Sequence, residues 1–174
     1  MNRTEEYVER IETEMGASWL PHIYRERILK MRTRSYQFPA LSKQAQPEIQ
    51  HTLLGIELKV GRHRMLCPDL ATARYLAVFA RAGSKAVAVP YDITTVSAIA
   101  DELESSWHRM LLLADEISQD ANTAFGIRLR RQLVGKVSAE LAQAGAGRAV
   151  PEFKQSTKQN IGPKKGTRST NKAT

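Results

Sequence analysis

Two carboxylates and a lysine stand close together in the middle of the chain. Pro47-Glu48 is followed, after eight residues, by Glu57-Leu58-Lys59. Residues two apart on a β-strand point to one face, so Glu57 and Lys59 enter the same site if this stretch is extended. Glu48 and Glu57 then suit Mg²⁺, a hard cation that takes one or two carboxylates and keeps several waters. A metal so held polarises a phosphate and lowers the pKa of its bound water, and Lys59 is placed to position or deprotonate that water. The competing reading is a half-exposed hairpin whose outer face carries Glu57, Lys59 and Arg64 as solvated charges.

A second kind of chemistry is written in the charge. The chain has 26 Lys+Arg against 18 Asp+Glu, a formal +8. Residues 22–43 hold Arg25, Arg27, Lys30, Arg32, Arg34 and Lys43 against Glu26, a net +5. Residues 148–174 hold seven basic residues, Lys164 and Lys165 among them, against Glu152, a net +6. The remainder is slightly acidic, at −3. Cations gathered on two segments around a nearly neutral body imply an anionic partner. In 22–43 they interleave with Tyr24 and Tyr36, a composition that suits single-stranded nucleic acid, where bases stack and phosphates pair. Arg128 and Arg131 fall on one face of the last predicted helix at i,i+3 and extend the basic surface. The alternative use of that helix's cations, Arg130 included, is ion pairing with Asp115, Glu116 or Glu140. The expected nucleic-acid-binding residues are Arg25, Arg27, Lys30, Arg32, Arg34, Arg128, Arg131, Lys164 and Lys165.

These side chains need a scaffold, and the apolar pattern predicts one. Residues 4–15 read as a helix capped by Thr4, with Tyr7, Val8, Ile11 and Met15 on one face. A second helix is expected over 18–33, which makes 1–38 a helical N-terminal part. Residues 34–50 then read as a linker containing Glu48. Thr52–Val60 alternates as a strand, Gly61-Arg62 is a two-residue turn, and His63–Cys67 returns beside it. Pairing across that turn sets Leu58 opposite Met65, Ile56 opposite Cys67 and Lys59 opposite Arg64. Asp69 caps a helix that stops at Gly83. The run Ala86-Val87-Ala88-Val89 reads as a buried strand beside the hairpin. Tyr91 and Asp92 follow it, either lining a ligand site at the strand end or serving as turn and cap. Residues 95–118 carry the stripe Val96, Ile99, Leu103, Trp107, Met110 and Ala114, for the core or for a homodimer. A last helix covers 121–144.

The predicted fold class is α/β or α+β, a small sheet with a β-hairpin and one further strand packed against amphipathic helices. One domain is expected over 1–147 and a disordered basic tail over 148–174, whose composition cannot bury enough surface to offset ordering. The single Cys67 allows no internal disulfide, and the scattered histidines have no zinc spacing. No apolar run is long enough to span a bilayer and no signal-peptide pattern opens the chain, so a cytoplasmic protein without membrane contact is expected.

The succession of Glu48, Glu57-Leu58-Lys59, hairpin, helix and strand over about residues 45–90 resembles the PD-(D/E)xK nucleases, Holliday-junction resolvases among them. The resemblance implies a Mg²⁺-dependent nuclease in which Glu48 replaces the usual Asp, Glu57 is the second metal ligand and Lys59 is the catalytic lysine. A glutamate of the first helix, such as Glu9, would assist. The charge pattern instead implies a non-enzymatic cytoplasmic protein, with no cofactor, that binds nucleic acid, DNA or RNA, or an assembly containing it. A third reading is an oligomeric adaptor whose basic tail docks on an acidic protein partner.

The tail's composition yields a direct expectation. Truncation after Val150 removes charge but few apolar groups, so the melting temperature should stay within about 2 °C of the full chain. A much larger drop would show that the tail packs on the domain.

Overall fold

The computed structural model describes residues 3–41 and 46–147. Lys43, Lys164 and Lys165, with the whole tail expected over 148–174, lie outside the described residues. The fold mixes helices with two small antiparallel sheets. In chain order it runs α1 (Arg3–Met15), a short 3-10 turn (Gly16–Ser18), α2 (Leu20–Ile23) and a wider π-type turn (Tyr24–Ile28). Then come β1 (Thr33–Gln37), β2 (Pro47–Thr52), β3 (Gly55–Val60), β4 (His63–Cys67) and α3 (Leu70–Arg81). β5 (Ala86–Pro90), α4 (Ile93–Ser118) and α5 (Thr123–Ala144) complete it.

The hairpin forms in the expected register. Ile56 pairs with Cys67, Leu58 with Met65 and Lys59 with Arg64. β2 adds on the other side of β3 to give a three-stranded meander. Its inner face buries Leu58, Val60, Met65 and Cys67, and α3 packs across it. Thr52–Val60 is not one strand as expected. Leu53 and Leu54 form the β2–β3 turn and are almost wholly exposed, at 107% and 79%. Thr52 closes that turn, its Oγ1 accepting from the Leu54 amide at 3.2 Å. Glu48, expected in a linker, therefore lies on a strand.

Asp69 and Asp92 cap their helices as expected. Asp69 accepts from the Thr72 amide at 2.7 Å, Asp92 from Thr94 at 3.0 Å and Asn122 from Phe125 at 2.8 Å, so three helices start on a side-chain oxygen. Thr4 is not a cap: it lies inside α1 and is buried. On α4, Val96, Ile99, Leu103, Trp107, Met110 and Ala114 are all buried within this chain, where the helix meets α1, α3 and α5.

The larger departure is the segment expected to be helical through residue 38. The helix gives way at Tyr24–Ile28, where Leu29 N–H donates to Tyr24 O, five residues back. Residues 33–37 become β1 and pair with β5, from Thr33 opposite Pro90 to Gln37 opposite Ala86. β5 thus sits against β1 and not beside the hairpin, and the single expected sheet is two. The reason is hydrogen bonding. β5 is buried at Val87, Ala88 and Val89, and a buried strand needs its ladder completed.

Completion on the far side of β5 comes from side chains. At Ala88 the amide donates to Tyr24 Oη at 3.0 Å, and the carbonyl accepts from Tyr75 Oη at 2.5 Å. Tyr24 in turn donates to the carbonyl of Gly145, just past α5, at 2.5 Å. One buried hydroxyl thereby ties the π-type turn, β5 and the end of α5 together.

Tyr24→Phe leaves the Ala88 amide and the Gly145 carbonyl without this partner, so it should cost roughly 1–3 kcal/mol in denaturant unfolding. Base should act in the same direction. Burial raises the Tyr24 pKa and lifts that of Tyr75 further. Above the ordinary tyrosine value of ~10 the unfolded chain sheds protons that the folded chain keeps, so stability is intact below that pH and falls above it. Tyrosinate absorbance should rise in two stages, the second coinciding with loss of helical circular dichroism. A single stage with helicity unchanged would contradict this burial.

Candidate nucleic-acid interface

The cations of residues 22–43 do not act alike. Arg25 reaches Glu140 at 3.4 Å, Arg27 bonds Glu102, and Lys30 bonds Glu26 at 2.7 Å. Glu140 also accepts from Trp19 Nε1 at 3.0 Å, so Arg25 belongs to a contact that fastens the N-terminal turns to α5. These three charges are largely answered inside the fold. The two tyrosines that interleave with them are not exposed either. Tyr24 is buried, and Tyr36 is half-buried with its ring edge-on to Phe38 at 5.2 Å.

Arg32 and Arg34 differ. Both are exposed, and no ion pair involves them among the described residues. Arg34 lies opposite Val89, and the ladder continues to Arg32, whose carbonyl accepts from the Tyr91 amide at 3.3 Å. Alternation puts Arg32 and Arg34 on one face of β1. The Arg32 guanidinium stands 5.2 Å from the centre of the Tyr91 ring, a cation–π contact. Asp92, next to Tyr91, is engaged in capping α4: it accepts from Thr94 N and from Thr95 Oγ1 at 3.1 Å.

The chain returns to this place at its other end. After α5, Gly145 adopts φ +83° and Gly147 φ +74°, left-handed conformations that a side chain would strain. A Cβ on Gly147 would fall 2.9 Å from Thr33 Oγ1 and 3.2 Å from Ala88 Cβ. Glycine is thus required for the backbone to lie against β1 and β5. Gly147 thus lies on the Thr33 and Ala88 side of the ribbon, the face opposite Arg32 and Arg34.

On α5, Arg128 and Arg131 are exposed and Arg130 bonds Asp115, one of the acids open to it in the sequence. The described residues hold 18 of the 26 basic residues and 17 of the 18 acidic ones, leaving only +1.

Glu48, Glu57 and Lys59 share the outer face of the meander. Glu48 lies opposite Lys59, and Gln50 lies opposite Glu57. Glu48 and Glu57 are diagonal neighbours, about 7–8 Å apart by ordinary sheet geometry. Glu57 is only 8% exposed although it faces outward, and its Oε2 makes no hydrogen bond. Arg64 approaches that oxygen at 3.9 Å, which eases the like-charge pairing of Lys59 with Arg64. Among the described residues no group of three or more His, Cys, Asp and Glu gathers to hold a metal. Cys67 is buried on the other face, and burial raises its thiol pKa, so it stays protonated.

No family model, curated protein or solved structure matches the chain. No described helix is long and apolar enough to cross a membrane.

The approach of Gly147 to β1 is testable against a control in the same helix and linker. Gly147→Ala should destabilise by about 1–2 kcal/mol, from the left-handed backbone and the contact with Thr33. Gly135→Ala, in α5 with open space where its Cβ would go, should stabilise by about 0.5–1 kcal/mol. Equal effects at both positions would refute the close approach.

Proposed function

We propose that the protein is a non-enzymatic binder of nucleic acid, working in the cytoplasm, where its single buried thiol stays reduced. The observation that carries this reading is the exposed pair Arg32 and Arg34 on one face of β1, which no ion pair answers among the described residues. On this reading the +6 of residues 148–174, which follow Gly147 in sequence, and the exposed pair Arg32 and Arg34 serve the same ligand. The described body is nearly neutral in sum. Phosphate contacts dominate such binding, and it needs no groove shaped for particular bases. Arg128 and Arg131 supply further cations on α5, while Arg25, Arg27 and Lys30 serve mainly the fold.

The test is a salt titration of binding to a labelled oligonucleotide in EDTA. Affinity should fall steeply with salt. Replacing Arg32 and Arg34 by Gln should lower the slope of log K against log salt by about one to two units, at roughly 0.7 per single-strand phosphate. Replacing Arg25 and Lys30 should change the slope less. Absence of binding at low salt would end this reading.

One observation favours a second reading, the Mg²⁺-dependent nuclease. Glu48 stands on a strand and shares a face with Glu57 and Lys59. The donor set fits: two carboxylates, one of them nearly buried with a free oxygen, match what Mg²⁺ takes from protein. Glu48 and Glu57 would hold the ion, which supplies polarisation of a phosphate and an acidified water. Lys59, beside Glu48, would orient that water. Cleavage of DNA or RNA in Mg²⁺, lost in both Lys59→Ala and Glu57→Gln, would make this the answer. On the first reading purified protein cleaves neither, and both variants bind as the parent does.

A further inference from the structure

We infer that the Arg32–Tyr91 end of the β1–β5 ribbon is a stacking platform for an unpaired base, which makes single strands the preferred ligand; this rests on the nucleic-acid reading above. Among the tyrosines, Tyr24 and Tyr75 are buried, and Tyr7 and Tyr36 are half-buried with their rings against Phe125 and Phe38. Tyr91 is 46% exposed, and neither of the ring-on-ring contacts of the other tyrosines covers it. It is also held in place. Its amide bonds Arg32, Pro90 before it is paired with Thr33, and Asp92 after it caps α4. A ring on so firm a backbone loses little freedom when a base lies on it.

The cations are placed to match. Arg32 already stands at the ring, and a planar guanidinium stacks on bases as readily as it pairs with phosphate. Arg34 follows on the same face, about 7 Å along the strand. A base on Tyr91 therefore has its own backbone within reach of these two positive groups. A duplex cannot use this arrangement, because its bases are already stacked on one another. It meets the surface through phosphates alone.

The experiment compares a short labelled oligothymidine with a blunt duplex of the same length at one salt concentration, using the full chain. The single strand should bind more tightly. Tyr91→Leu should weaken single-strand binding by roughly five- to a hundred-fold and leave duplex binding unchanged. Tyr91→Trp should keep the preference, and its new indole emission should be quenched by oligothymidine but not by the duplex. The native Trp19 and Trp107 are buried and serve as background. Equal or tighter binding of duplex, or salt-sensitive single-strand binding untouched in Tyr91→Leu, overturns the platform and leaves the nucleic-acid reading standing. No binding of either ligand overturns both.

Discussion

β5 has a strand partner on one side only, yet it lies in the core, and its outward peptide groups must still be bonded. Two tyrosine hydroxyls meet that requirement at Ala88. Much else depends on the arrangement. Tyr24 can reach Ala88 only if the chain from Trp19 to Ile28 passes over the end of β5, and the π-type turn there sets the ring inward against Phe79. Because Tyr24 also donates to Gly145, the end of α5 is drawn to the same spot. The dependence is thus physical: burying β5 demands a hydroxyl, the hydroxyl fixes the end of the last helix, and that end seats Gly147 against Thr33 and Ala88.

Charge is distributed in keeping with this. Seven of the 18 described basic residues are ion-paired within the fold. Arg74 bridges Asp101 and Glu104, Lys136 bonds Glu12 at 2.8 Å, and Arg130 bonds Asp115. These contacts tie helix to helix. Exposed pairs of this kind add little stability, but they neutralise the surface on which they lie. The meander's outer face has a different character, with both signs close together and a carboxylate held nearly out of water.

Much of the fold was legible in the sequence because the residues concerned act locally. The β3–β4 register follows from a glycine turn and strict alternation, and the cap Asp69 from an oxygen just before an apolar period. The stripe on α4 follows from its spacing. What escaped lies where a distant partner decides. β1, Thr-Arg-Ser-Tyr-Gln, has no apolar alternation of its own, and only the ladder to β5 makes it a strand. Its arginines look like the continuation of a basic helix. β2, Pro-Glu-Ile-Gln-His-Thr, is similarly polar, and Leu53-Leu54 at its turn mimics the interior of a longer strand. The candidate site was legible as composition, not as geometry. Charge counting found Arg32 and Arg34 but could not separate them from Arg25, Arg27 and Lys30, whose acids come from α4, α5 and the turn itself. Tyr91 was noticed as a strand-end residue, while the aromatics chosen for stacking, Tyr24 and Tyr36, turned out to pack inward.

The central claim is that nucleic acid is met at the Arg32, Arg34 and Tyr91 face of the β1–β5 ribbon, and mapping amide shifts by NMR as a short oligonucleotide is added tests it most directly. The account predicts that the shifts concentrate at Arg32–Arg34 and Tyr91, with the outer face of β2–β4 unmoved. Shifts centred on Glu48, Glu57 and Lys59, with β1 silent, would contradict it.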